Sequence, residues 1–278
     1  MSATATFVNF IYLINQIITV SPALSVLVGT FLLVSMLESW RPFFLQNRDS
    51  GGRLLTNFGF GLANAGIQFL VPLSVIAAAS WADQNGVGLL NYVMMPLIFE
   101  VIATVLLYSL ATYWIHRFSH GVPLLWRLHH VHHADTQIDL STGFRNHPGE
   151  LVLAILLLSL TVVVLGLSPV ILISYQIIAA GFALWSHADF ALPQSLDRIL
   201  RVIIVTPGMH HVHHSAMQAQ TDSNFGEVFS FWDRLFGSYC YMTPVALRGM
   251  TIGLGDAHDE GADSFTAQLI SPVRRLPS

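Results

Sequence analysis

The stretch ELVLAILLLSLTVVVLGLSPVILISYQIIAAGFALWSH, Glu150 to His187, carries no formal charge after its first residue and is broken only by GLSP at Gly166 to Pro169. A membrane-spanning helix needs roughly 20 mostly apolar residues, with a lower limit near 17, and Gly with Pro marks a turn. The run therefore predicts a helical hairpin of two segments of about 17 residues each, which goes into a bilayer and comes back. His187 at one end and His147, just before the other, then face the same side.

Working outward, three more runs read as spans. One lies within Pro22 to Ser39, preceded by an apolar stretch, Phe7 to Val20, that lies in the interface or forms a short span. The second covers roughly Phe58 to Trp81 and the third Tyr92 to Trp114. Composition agrees: 53% of the 278 residues are hydrophobic and 10% charged, with a mean hydropathy of +0.59, whereas soluble domains carry about 25% charged residues. The N-terminus MSATATFVNFIYLINQIITVSPALS lacks a basic n-region, so it is expected to stay as an anchor rather than be cleaved. The fold class expected is an all-α integral membrane protein, a transmembrane helix bundle with a helical cap rich in histidine.

All 12 basic residues are Arg. Arg41, Arg48 and Arg53 fall between the first and second spans, Arg117, Arg127 and Arg145 follow the third, and the rest follow the hairpin. One threading puts all of them, and every histidine, on one side, which the positive-inside rule makes cytoplasmic. A net charge of -4 gives no case for nucleic acid. Cys240 is the single cysteine, so thiolate metal sites of the CxxC type are excluded and a metal must be held by His and carboxylate.

The 13 histidines are not scattered. ATYWIHRFSHG places His116 and His120 four apart, on one helix face. WRLHHVHHAD holds His129, His132 and His133, and TPGMHHVHHSA repeats that spacing with His210, His213 and His214. Steps of three and four bring residues onto one face, while an adjacent pair points at two neighbouring ions. His147 and His187 stand at the ends of the hairpin. Neutral imidazole without thiolate suits Fe or Zn. Eight to ten histidines exceed what one ion uses, so two ions are expected. The bland reading, a fortuitous surface trap, suits His258 in the tail better than two clusters plus a helical pair on one face.

The order HxxxH, HxxHH, a lone His after a hairpin, then HxxHH resembles the fatty acid hydroxylase and sterol desaturase superfamily of membrane di-iron enzymes. The flanking YWIHRFSH, LWRLHHVHH, HPGE, TPGMHHVHH, NFG at Asn224 to Gly226 and WDRLFGSY at Trp232 to Tyr239 carry the same resemblance, which covers about Tyr108 to Tyr239. It implies metal ligands at His116, His120, His129, His132, His133, His187, His210, His213 and His214, with His147 a participant. The family commonly has another residue at the second position of each pentapeptide, so His130 and His211 are expected to be bystanders that tolerate replacement. Ser109, where relatives often have Asp, and Asp189, where Asn is frequent, depart from the pattern. The chain divides into N-terminal transmembrane helices (1–107), a hydroxylase-like catalytic region that includes the membrane hairpin (108–245), and a polar C-terminal tail (246–278), whose last 20 or so residues, DAHDEGADSFTAQLISPVRRLPS, read as loose.

The resemblance implies two Fe ions and O2, acting on a membrane lipid to give an alcohol or an alkene. Electrons must come from a separate reductase with a ferredoxin or cytochrome, because the chain has no CxxCH, no Fe–S cysteine set and no Rossmann glycine fingerprint. Arg117, Arg127 and Arg201 are candidates for docking an acidic carrier, and a solvated positive-inside face explains them equally well. Trp114, Trp126, Phe144 and Trp185 read by default as an interfacial aromatic belt, with lining of a lipid entrance as the alternative. Glu100, inside the third span, is a costly intramembrane carboxylate. Rival readings are a di-zinc membrane hydrolase using Asp135, Asp139, Glu150 or Asp189, a metal transporter, which would need polar ligands at the bilayer midplane, and a non-catalytic metal-binding membrane protein.

Overall fold

The computed structural model describes residues 22–44, 51–70, 74–255 and 261–274, and among these it is helical throughout, with two isolated β-bridges. The apolar stretch Phe7 to Val20 and His258 lie outside the described residues.

The hairpin forms as expected from α6 (Pro148–Leu165) and α7 (Pro169–His187). Each begins with Pro at its first helical position, where the missing N–H costs nothing. Gly166 ends α6 in the left-handed conformation at φ 66°, which side chains other than Gly rarely adopt. The tip is also crowded: a Cβ on Gly88 would lie 2.3 Å from Gly166 N, so the 88–92 segment seals against the far end of the hairpin. Leu156, Leu160 and Val164 remain exposed on α6. A helix apolar on every side and so little covered by protein is solvated by lipid.

The other spans are α1 (Pro22–Trp40), α2 (Gly51–Leu70), α3 (Val75–Gln84) and α4 (Leu97–Gly121). Five segments are long and apolar enough to cross a membrane, with α2 and α3 within one of them, and the chain is a multi-pass membrane protein. The single second span expected from Phe58 to Trp81 is instead two helices in series. Residues Arg53, Thr56, Asn57, Phe60 and Asn64 of α2 face inward and are buried, while Leu55, Leu62 and Phe69 are exposed. Polar-in, apolar-out is the reverse of a water-soluble helix; the inward face packs α2 on the cap and on α6, and the apolar face is left to lipid. The remaining depth is covered by α3, which packs along α6.

The cap follows the spans. It consists of α5 (Pro123–His133), a 3-10 turn at Leu140–Phe144, α8 (Gln194–Leu200), α9 (Pro207–His213), and the short helices α10 (Gln218–Thr221), α11 (Phe231–Leu235), α12 (Pro244–Arg248) and α13 (Phe265–Ile270). Two arginines counted on the basic side are buried staples. Arg53 pairs with Asp135 at 3.0 Å and with Asp139, and Arg145 donates to Val131 O, Asn57 Oδ1 and Ala262 O at 2.7, 3.1 and 2.7 Å. The latter bond corrects the expectation of a loose tail for residues 261–274: Phe265 packs on Phe60 with ring centres 4.8 Å apart, because α2 presents an inward face that this segment covers.

Candidate metal centre

Four helix ends converge at the cap. The last two turns of α4 bring His116 and His120, α5 brings its histidine triplet, α7 ends on His187, and α9 with its C-cap supplies the second triplet. The nitrogens form two groups, His116, His120, His129, His133 and His213 in one and His132, His187, His210 and His214 in the other, each with its donor atoms within 4.8 Å of one another. The five- and four-membered groups are called A and B below. Each pentapeptide feeds both: His129 and His133 go to A and His132 to B, whereas His210 and His214 go to B and His213 to A.

Outer partners set which nitrogen faces inward. Nδ1 of His116, His132, His187 and His213 donates to the carbonyls of Phe225, Arg145, Ala183 and Ser223 at 2.8, 3.2, 2.6 and 2.7 Å. A carbonyl can only accept, so Nδ1 holds the proton and Nε2 keeps its lone pair for the interior. His129 Nδ1 donates to Glu150 Oε1 at 2.6 Å and His120 Nδ1 to Asp222 Oδ1 at 3.1 Å. Both carboxylate partners serve group A; in group B, His132 and His187 have backbone carbonyls, while Nδ1 of His210 and of His214 is buried without a partner among the described residues.

Inside, Nε2 atoms crowd together. His129–His133, His132–His187, His187–His210 and His210–His214 stand 3.2, 3.1, 3.0 and 3.2 Å apart. Nε2 of His120 and of His213 is buried with no hydrogen-bond partner. Burial, followed by repulsion from neighbouring imidazoles, holds His133, His210, His213 and His214 well below the ordinary histidine pKa, and His132 likewise. Neutral rings with lone pairs aimed at common points are a donor set that fits one cation per group, and N-only donors suit Fe or Zn.

A cavity of about 270 Å³ opens onto both groups through His116, His129, His132, His187 and His210. Its outer wall is apolar, made by Leu153, Leu157 and Leu158 of the hairpin with Ile115 and Leu128. None of Trp114, Trp126, Phe144 or Trp185 lines it. Trp126 lies instead against the His120 ring at 5.1 Å, and Trp185 donates to Val205 O at 3.1 Å.

Comparison with known proteins gives the same reading. The family described as Fatty acid hydroxylase matches residues 101–238. An ornithine lipid hydroxylase of Rhizobium tropici is 25% identical over 266 residues, covering 90% of this chain and 75% of that protein. Alkylglycerol monooxygenase of Danio rerio is 29% identical over 143 residues, covering 51% of this chain and 31% of that protein. A methylsterol monooxygenase of Arabidopsis thaliana is 24% identical over 178 residues, covering 61% and 59%. The chain belongs to the fatty acid hydroxylase superfamily. No solved structure matches it. Its relatives in this superfamily are lipid hydroxylases and monooxygenases, and the chain is read as an oxidoreductase of lipids on that basis.

The family motifs of this chain that carry no histidine act by holding those that do. Asn224 takes a left-handed φ of 53°, donates to Met209 O and Cys240 O, and accepts from Cys240 N, all at 2.9 Å. Asp233 of WDRLFGSY accepts from Phe225 N at 2.7 Å, Gly226 N at 3.0 Å and Ser238 Oγ at 2.7 Å. The result is a fixed Phe225 carbonyl, the acceptor for His116.

Of the ten histidines expected as ligands, the structure brings nine together. His147 is the exception, since it caps α6: its Nδ1 accepts from Gly149 N at 3.0 Å and its Nε2 donates to Leu269 O at 3.0 Å. Both nitrogens are thereby used away from the groups. His130 and His211 also stand outside A and B. His211 is not a bystander in the structural sense, however, being fully buried against Phe43 and Phe44 with Nε2 donating to Ala188 O at 3.1 Å. Ser109 accepts from Trp232 Nε1 at 3.1 Å, and Asp189 Oδ1 accepts from Phe43 N and Phe44 N at 2.9 and 2.8 Å. Glu100 sits in the first turn of α4, at the opposite end of that helix from His116 and His120. Two carboxyls line the cavity, Glu150 and Glu227, and the second carries no sequence signal beyond its place after NFG.

Proposed function

We propose that this chain is a membrane di-iron oxygenase that hydroxylates or desaturates a long-chain lipid, with one iron held by group A and the other by group B. The observation that carries this reading is the pair of adjoining imidazole groups at the end of an apolar cavity in a lipid-facing bundle. Iron supplies, when bound, the redox power to activate O2 that no side chain possesses.

The chain's own residues do the rest. The leucines of α6 take up a hydrocarbon chain from the bilayer side and leave its reacting carbon beside His132, His187 and His210; small displacements there decide between one hydrogen removed and two. Glu150, Asp222 and the carbonyls on Nδ1 of His116, His132, His187 and His213 fix those rings, an arrangement that raises metal affinity. Electrons arrive from a separate reductase with ferredoxin or cytochrome, and the cap faces the cytoplasm in line with the arginine distribution.

Metal analysis of protein purified without oxygen, joined to mass spectrometry of lipids from cells with and without the chain, tests the proposal. Two irons per chain with lipid mass shifts of +16 or -2 are expected. Stoichiometric zinc supporting hydrolysis refutes it in favour of the hydrolase.

A further inference from the structure

Glu227 is the one cavity-lining carboxyl not engaged by a histidine, since Glu150 is bound to His129. It projects from the turn that Asn224 and Asp233 hold rigid, and that turn has no room to shift: a Cβ on Gly226 would fall 2.4 Å from Phe229 O. Thr112, one helical turn before His116, lines the same cavity. Its hydroxyl donates its single hydrogen to Ser109 O at 3.0 Å.

Among the described residues no Arg or His nitrogen lies within 4.0 Å of this carboxyl, and no Arg lines the cavity. Burial without a countercharge raises the pKa of this carboxyl, so its ionised form is favoured only when a cation comes to lie beside it. A carboxyl facing an otherwise apolar chain-binding space, short of a donor and of a countercharge, is a recognition element for what enters that space. Gln or Asn would serve a hydroxyl equally well; the negative charge discriminates only in favour of a cation.

We propose that Glu227 is the binding site for a protonated amine carried by the lipid substrate, so that this enzyme acts on an amine-bearing lipid. The proposal rests on the lipid-oxidation reading above. The amine, seated between Glu227 and Thr112, fixes the register of the adjoining chain relative to the histidine groups and thereby selects the carbon that reacts.

The test uses the full-length metal-loaded protein in detergent, with hexadecylamine and hexadecanol as probes of equal chain length and binding read by native mass spectrometry near pH 7. Wild type is expected to hold the amine about tenfold or more tightly than the alcohol. Glu227→Gln abolishes that preference by weakening the amine alone, Glu227→Asp keeps part of it, and Glu100→Gln, at the other end of α4, keeps all of it. N-acetyl-hexadecylamine, which has lost the charge, binds wild type like the alcohol; this arm decides the matter even where Glu227→Gln does not fold. Absence of the preference in wild type, its survival in Glu227→Gln, its equal loss in Glu100→Gln, or tight binding of the acetylated probe overturns the assignment. Lipid mass shifts in cells are read separately, so the oxygenase proposal stands or falls by its own measurement.

Discussion

Glu150→Gln separates the two histidine groups. Glu150 Oε1 lies 2.6 Å from His129 Nδ1, and its side chain is 20% exposed; the equivalent bond from Asp222 to His120 is 3.1 Å long on a side chain 42% exposed. Gln keeps an acceptor for the Nδ1 proton but removes the charge, and charge-assisted hydrogen bonds are roughly twice as strong as neutral ones. Loss of such an outer partner typically costs about 10–100-fold in metal affinity, or about 1.4–2.7 kcal/mol. Asp222→Asn, in a more solvated and longer pair, is expected to cost under about 1 kcal/mol. Group B has no carboxylate among its Nδ1 partners and is untouched by either change. Titrating metal-loaded protein with a chelator and counting metal per chain reads the difference: Glu150→Gln sheds one equivalent early and keeps the other, while Asp222→Asn stays near wild type. Simultaneous loss of both equivalents from Glu150→Gln, or equal weakening by Asp222→Asn, refutes the independence of the groups and the ranking of their outer partners.

Three further outcomes follow from the same geometry. Asp233→Ala strands the amides of Phe225 and Gly226, at about 1–3 kcal/mol for each buried orphan, so its thermal midpoint in detergent falls by several degrees or the protein fails to accumulate; a midpoint equal to wild type contradicts the role given to WDRLFGSY. His211→Ala, expected from sequence alone to be harmless, removes a fully buried ring and its bond to Ala188 O, and destabilises by about 2–4 kcal/mol, visible as a lower midpoint while two metals still bind. In metal-free protein, His132, His133, His210, His213 and His214 stay neutral to well below the unfolded value near 6.5. The unfolded chain then binds more protons as pH drops, so stability present above pH 6.5 is lost at about 1.4 kcal/mol per pH unit for each such histidine. Unfolding followed from pH 8 to pH 5 shows this decline, and a flat profile speaks against neutral, buried rings.

The bundle was legible in the sequence because its signals are local. Apolar length, the GLSP interruption and the absence of charge from Leu151 to His187 fix a hairpin without reference to any partner. The exception, α2, is explained by tertiary contact: Arg53, Asn57 and Asn64 turn inward only because Asp135, Ser141 and the Asn146 carbonyl wait there, and no periodicity announces such partners. The same holds for His147, whose HPGE context suits a ligand but whose nitrogens are claimed by Gly149 and Leu269. Glu227 was invisible for the complementary reason, that its role depends on which cavity it enters.

By itself the sequence determined the helical segments, the nine histidines that meet and the fact that neighbours such as His132 and His133 point apart, since consecutive residues on a helix diverge by about 100°. It did not determine which imidazoles share a point in space. That was decided by α5 packing against α4 and α9 against α7, which lets the rings of the two triplets meet and sends His213 to join His129 and His133, and His132 to join His210 and His214. Helical spacing sets the direction of a side chain; only the tertiary structure supplies what stands in that direction.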